Sequence, residues 1–184
     1  TGETPTLTSA EIERVIAVVR EEANGKCPII AGSGTNATHS TIENTKRVRD
    51  WGCDAALVVT PYYNKPSQEG LYRHYAAVLE AVPGFPVVLY NVPGRTGCNL
   101  APETVERLSH FDEVVAVKEA SGNLAQVAEI LERCGDKLAV LSGDDALSLP
   151  MYGLGASGVV SVASNVVPKA VSYTHLTLPT IQPV

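Results

Sequence analysis

Val114-Val115-Ala116-Val117-Lys118 is an uninterrupted apolar run closed by a single cation. Three β-branched valines in five residues favour a pleated chain. A short apolar run without polar alternation, bounded on one side by Glu113 and on the other by Ser121-Gly122, reads as a strand buried on both faces.

Outward from this run the same pattern recurs. Residues 27–31, 55–60 and 86–90 precede it, and residues 138–141 and 158–162 follow. Between these segments lie helical patterns at residues 9–22, 38–51, 68–81, 102–110, 123–134 and 146–154. Capping residues mark several starts: Ser9 before Glu11, Thr38 before Thr41, Ala101-Pro102-Glu103, and Asn123 before Leu124. Strict alternation of strand and helix predicts a parallel sheet with its helices outside.

Two α/β architectures have this pattern, the doubly wound sheet and the (β/α)8 TIM barrel. Gly32-Ser33-Gly34 continues as Thr-Asn-Ala-Thr, so no dinucleotide fingerprint opens a helix, and the barrel is expected. A barrel needs eight strands and six are legible, so the expected fold is an incomplete barrel of about six βα units. Residues 1–171 are assigned to this partial catalytic barrel. Residues 172–184, with two prolines and many β-branched residues, are expected to be a poorly helical tail foreign to it.

Of the 184 residues 45% are hydrophobic and 18% charged, which fits a chain with a packed core. The net charge is −6 and the basic residues are scattered, so neither nucleic acid nor an anionic membrane surface is an expected partner. The apolar runs fall far short of the roughly 20 residues that span a bilayer. No signal pattern follows Thr1-Gly2-Glu3, and a cytoplasmic location is expected. Cys27, Cys53, Cys98 and Cys134 form no Cys-x-x-Cys pair and are expected to be reduced thiols. His39, His74, His110 and His175 are dispersed, so no metal site is expected.

Barrel chemistry sits at the C-terminal ends of the strands. Lys118 ends an apolar strand, where desolvation disfavours the ammonium and makes a neutral, nucleophilic amine available to attack carbonyls. An ion pair of Lys118 with Glu119 or an aspartate is the competing reading. Tyr90 and Tyr63 follow two other strands and offer hydroxyls for proton transfer, or else pack in the core with hydrogen-bonded tips. Arg95, in Pro93-Gly94-Arg95-Thr96-Gly97, either projects over the pocket to grip a carboxylate or is a surface arginine. Asp144-Asp145 suits a helix N-terminus better than a cation site.

Several segments together resemble the dihydrodipicolinate synthase family, within the pyruvate aldolase superfamily that includes N-acetylneuraminate lyase. They are Thr-Gly-Glu at 1–3, Ile-Ala-Gly-Ser-Gly-Thr-Asn-Ala-Thr at 30–38, Thr-Pro-Tyr-Tyr-Asn-Lys-Pro-Ser-Gln-Glu-Gly at 60–70, Tyr-Asn-Val-Pro-Gly-Arg-Thr-Gly at 90–97, Val-Lys-Glu-Ala-Ser-Gly-Asn at 117–123 and Leu-Ser-Gly-Asp-Asp at 141–145.

The resemblance implies that Lys118 forms an imine with pyruvate, whose enamine attacks L-aspartate 4-semialdehyde on the way to diaminopimelate and lysine, with no cofactor. It implies that Tyr90 donates and accepts the proton, that Tyr63 completes a relay reaching into a neighbouring subunit, and that Arg95 holds the aldehyde's carboxylate. Thr1, Gly143 and Val160 would line the pyruvate pocket, and the full-length protein would be a homotetramer, a dimer of dimers. The resemblance also implies that the first threonine of the family's Gly-Thr-Thr-Gly-Glu motif and the first strands of the barrel would precede residue 1, and that a C-terminal helical region would follow the given residues. Asn36 and Tyr62 match the family's lysine-feedback site, but Ser9 and Ser40 replace its histidine and glutamate, so weak feedback is expected. Another pyruvate-dependent lyase, acting on N-acetylneuraminate or a keto-deoxy sugar acid, and a catalytically silent fragment are the alternatives; Arg95-Thr96-Gly97 favours the synthase.

Overall fold

The computed structural model describes residues 2–177. Six strands, β1 (Ile30–Gly32), β2 (Ala55–Val59), β3 (Val87–Asn91), β4 (Val114–Glu119), β5 (Ala139–Ser142) and β6 (Gly158–Val159), form one sheet in sequential order. Every neighbouring pair is parallel. The helices are α1 (Ser9–Ala23), α2 (Thr38–Asp50), α3 (Gln68–Ala81), α4 (Pro93–Thr96), α5 (Pro102–Leu108), α6 (Leu124–Cys134), α7 (Ser148–Leu154) and α8 (Pro168–Thr177). This is the expected α/β alternation: six parallel strands of the (β/α)8 barrel architecture.

The apolar runs predicted strands buried on both faces, but the two faces are not buried equally. Ala56, Val58, Val87, Leu89, Val117 and Val140 are buried in one core with Leu71, Tyr75 and Leu79 of α3, Val105 and Leu108 of α5, and Ile130 of α6. Their neighbours Leu57, Val59, Tyr90, Lys118 and Leu141, which point to the other face by the pleat's period of two, are only half-buried. One face of the sheet is therefore packed against helices, and the other carries the accessible side chains.

Local chemistry accounts for the boundaries. Thr8, one residue before the predicted cap at Ser9, begins α1 with a capping box: its hydroxyl accepts from Glu11 N, and the Glu11 carboxylate accepts from Thr8 N at 2.7 Å. Ala37 precedes α2, so Thr38 lies inside the helix and its hydroxyl instead meets His74 Nδ1 at 2.9 Å. Asn123 caps α6 as expected, accepting from Ala125 N and Gln126 N.

The strands at the two sheet edges are shorter than predicted. β1 starts only at Ile30, and β6 ends at Val159 because Val162 turns helical, with Val162 N and Ala163 N donating to the Asp145 carboxylate at 3.0 and 2.9 Å. Across the expected domain limit at residue 171 the chain stays helical, since α8 runs to Thr177, where a poorly helical tail was predicted. The helix contains Tyr173, Thr174 and Thr177, residues of modest helix propensity, but both tail prolines, Pro179 and Pro183, lie beyond it. The rest of the predicted tail lies outside the described residues.

Candidate active site

Lys118 occupies the next-to-last position of β4, and the sheet register pairs it with Tyr90 on β3 and Leu141 on β5. The parity that turns Val117 into the helix layer turns Lys118 to the accessible face. Its Nζ lies 4.1 Å from the centroid of the Tyr90 ring. Burial, joined by the positive charge of Arg95, holds the Lys118 amine below the ordinary lysine range. Burial pushes the Tyr90 hydroxyl up, while Arg95 draws it partly back. Arg95 thus acts on both groups, from the single helical turn of α4.

A third wall is steric. Gly143 follows β5, and its N–H donates to Glu119 O at 2.8 Å. A Cβ on Gly143 would stand 2.8 Å from Ala120 Cβ and 2.9 Å from Lys118 Cε. The lysine stem therefore runs in a slot that only a glycine leaves open. Val160 is fixed beside this strand end by its N–H bond to Ser142 O at 2.8 Å.

The competing ion-pair reading fails for Glu119, which faces the opposite side of β4. Its buried carboxylate accepts from Asn91 Nδ2, Gln126 Nε2 and Ser121 N. Asp144 caps Ala146 N, and Asp145 holds Val162 N and Ala163 N, so both serve backbone amides as expected. Among the described residues no group of histidine, cysteine, aspartate and glutamate could hold a metal ion, and no helix is long and apolar enough to cross a membrane.

Tyr63 is not brought to Lys118. It lies in the loop after β2, its side chain 86% exposed and its backbone left-handed at φ 71°, with its N–H donating to Thr96 O at 3.2 Å. Thr1 lies outside the described residues. Ser9 and Tyr62 share a cavity of about 280 Å³ with Ile12, Arg47 and Trp51.

The sequence reading missed Asn91, Asn99 and Gln126, which gather around Glu119 behind the accessible face. The only available signal was parity: a polar residue next to an accessible strand-end residue must face the helix layer.

Fold and site together define a (β/α)-barrel chain with a half-buried lysine at a strand end. Residues 1–175 match the dihydrodipicolinate synthetase family, and the chain belongs to that family. It is 58% identical over 172 residues to the 4-hydroxy-tetrahydrodipicolinate synthase of Citrifermentans bemidjiense, covering 94% of this chain and 59% of that protein. It is 55% identical to the synthase of Thermomicrobium roseum, covering 92% and 56%. The chain spans about three-fifths of the length of the curated relatives it matches. Among solved structures it is similar to dihydrodipicolinate synthase from Aquifex aeolicus, at TM-score 0.89 and 46% identity over 94% of this chain and 59% of that one. It is similar also to the lysine-bound enzyme of Cyanidioschyzon merolae, at TM-score 0.91 and 45% identity over 96% and 60%.

Proposed function

We propose that this chain carries the pyruvate-activating centre of a 4-hydroxy-tetrahydrodipicolinate synthase. The observation that carries the reading is the half-buried Lys118 amine, held below its ordinary pKa and set 4.1 Å from the Tyr90 ring. The neutral amine attacks C2 of pyruvate, giving a carbinolamine. Tyr90 delivers a proton to the departing hydroxyl, water leaves, and the protonated imine forms. The imine nitrogen then draws in the electrons released when C3 loses a proton, and the enamine adds to the aldehyde carbon of L-aspartate 4-semialdehyde. The protein-derived imine is itself the electron sink, so this reading requires no cofactor.

Arg95 grips the carboxylate of the aldehyde substrate, and Gly143, Val160 and Thr1 line the pyruvate end. The exposure of Tyr63 suits a side chain that completes the proton relay of a neighbouring subunit, in a cytoplasmic homotetramer built as a dimer of dimers.

Borohydride reduction in the presence of pyruvate tests the reading. A stable adduct mapped by mass spectrometry to Lys118, followed by turnover with L-aspartate 4-semialdehyde but not with mannosamine derivatives or glyceraldehyde, is the expected result. A folded chain that stays unmodified would overturn it.

A further inference from the structure

Directly behind the reactive face lies a buried anion that the proposed chemistry does not use. Glu119 is 2% exposed, and no lysine or arginine pairs with its carboxylate among the described residues. A carboxylate buried without a cation is costly unless hydrogen bonds saturate it. Here Asn91 Nδ2 donates to both oxygens at 3.0 and 3.3 Å, Gln126 Nε2 donates at 3.1 Å, and the backbone N–H of Ser121 donates at 2.7 Å.

The directions of these bonds are not interchangeable. The backbone N–H of Leu100 donates to Asn91 Oδ1 at 2.9 Å, which turns the Asn91 amide nitrogen toward Asn99 Oδ1 at 2.8 Å and toward Glu119. With Asn99 Oδ1 so engaged, Asn99 Nδ2 faces Gln126 Oε1 at 2.7 Å, and Gln126 Nε2 is left to donate to Glu119. A chain of amides anchored on one backbone N–H therefore ends in two donors that, together with the backbone N–H of Ser121, converge on residue 119. Only a group that accepts and does not donate satisfies all of them.

The network also joins four separate segments: β3 through Asn91, β4 through Glu119, the loop before α5 through Asn99 and Leu100, and α6 through Gln126. Asn91 and Glu119 are register partners, one residue beyond the partners Tyr90 and Lys118. We propose that Glu119 is a positioning residue: its carboxylate locks the β3 and β4 ends together from the helix side, so that Lys118 and Tyr90 face each other at reacting distance on the other side. This rests on the pyruvate reading given above.

The test compares the 184-residue chain with its Glu119→Gln variant by the rate of borohydride-trapped pyruvate adduct at Lys118, measured over a range of pyruvate concentrations. The substitution keeps the shape of the side chain but sets an amide N–H against the converging donors. The expected result is a maximal rate at least tenfold lower in a folded protein, with the half-saturating pyruvate concentration changed less than twofold. The swap E119Q/Q126E, which returns a carboxylate to the network, should regain at least threefold. Wild-type rate in E119Q, a loss confined to pyruvate affinity, or a swap no faster than E119Q each overturns the proposal.

If E119Q does not fold, Gln126→Leu, which removes one donor, decides: a threefold or greater loss supports the positioning role and wild-type rate refutes it. If the wild-type chain forms no pyruvate adduct, the pyruvate reading fails on its own, and formaldehyde with cyanoborohydride becomes the probe. Methylation of Lys118 relative to Lys46 at pH 7 should then fall at least threefold in E119Q, because a loosened strand end lets the ammonium regain water. An unchanged ratio overturns the proposal.

Discussion

Lys118 and Tyr90 are register partners on adjacent parallel strands, with the lysine Nζ 4.1 Å from the tyrosine ring centroid. The ring attracts the cation, by about 0.5–2 kcal/mol depending on desolvation. Burial and Arg95 act in the opposite direction and lower the pKa of the amine. A lowered pKa means that the neutral amine accumulates at lower pH than for a free lysine. The rate of pyruvate trapping should therefore rise with pH to a midpoint below the ordinary lysine value of about 10.4. In Arg95→Ala, which removes a repelling charge, the midpoint should move up. A midpoint unmoved in R95A would show that Arg95 does not act on Lys118.

The Tyr90 hydroxyl and the Tyr90 ring have separable roles. Tyr90→Phe keeps the ring over Lys118 and deletes only the hydroxyl proposed to carry the proton. The expected outcome is a trapping rate lower by about 10²-fold, the lower end of what a positioned acid or base contributes. The pH midpoint should stay in place, because neither the burial of Lys118 nor Arg95 changes. Stopped-time trapping across pH measures both quantities, and a shifted midpoint with an unchanged rate would assign Tyr90 an electrostatic role only.

The Gly143 slot predicts a combined loss of stability and reactivity. Gly143→Ala places a methyl 2.8 Å from Ala120 Cβ and 2.9 Å from Lys118 Cε, so either the lysine stem or the strand end must move. Overpacking of this kind costs about 1–3 kcal/mol. For a chain of this size each kilocalorie lowers Tm by roughly 2–4 °C. Calorimetry reads the first effect and adduct yield at Lys118 the second. A variant with wild-type Tm and full yield would show that the slot has room to spare.

The face that carries Lys118 and Tyr90 was legible in the sequence because strand ends and side-chain parity are local properties. Val114 to Val117 announced β4, and Lys118, Tyr90 and Arg95 followed from their places after apolar runs. Two kinds of feature were not legible. The edge strands β1 and β6 are shorter than their apolar runs, because pairing on one side only, with competing bonds such as those to Asp145, sets their limits. The Glu119 network draws on residues at 91, 99, 119 and 126, whose amides and carboxylate resemble surface residues until the fold brings them together. Reading Glu119 as an ion-pair partner of Lys118 ignored that adjacent strand residues point to opposite faces.

His74 predicts how the stability of this chain depends on pH. It sits on α3, 5% exposed, with Nδ1 against Thr38 Oγ1 at 2.9 Å, Nε2 without a hydrogen-bond partner, and its ring edge-on to Tyr75. Burial lowers its pKa from 6.5 to about 4, because protonation would place a charge where no acceptor awaits Nε2–H. Between those two values the unfolded chain binds a proton that the folded chain refuses. Stability therefore falls as pH drops through 6.5 and stops falling on this account near 4, with a contribution of roughly 2 kcal/mol already lost at pH 5. In His74→Gln that component is absent. Urea unfolding at pH 7.5 and pH 5 should give a pH-dependent loss larger in the wild type than in H74Q by about that amount. Equal losses in the two proteins would mean that the acid sensitivity of the fold arises elsewhere.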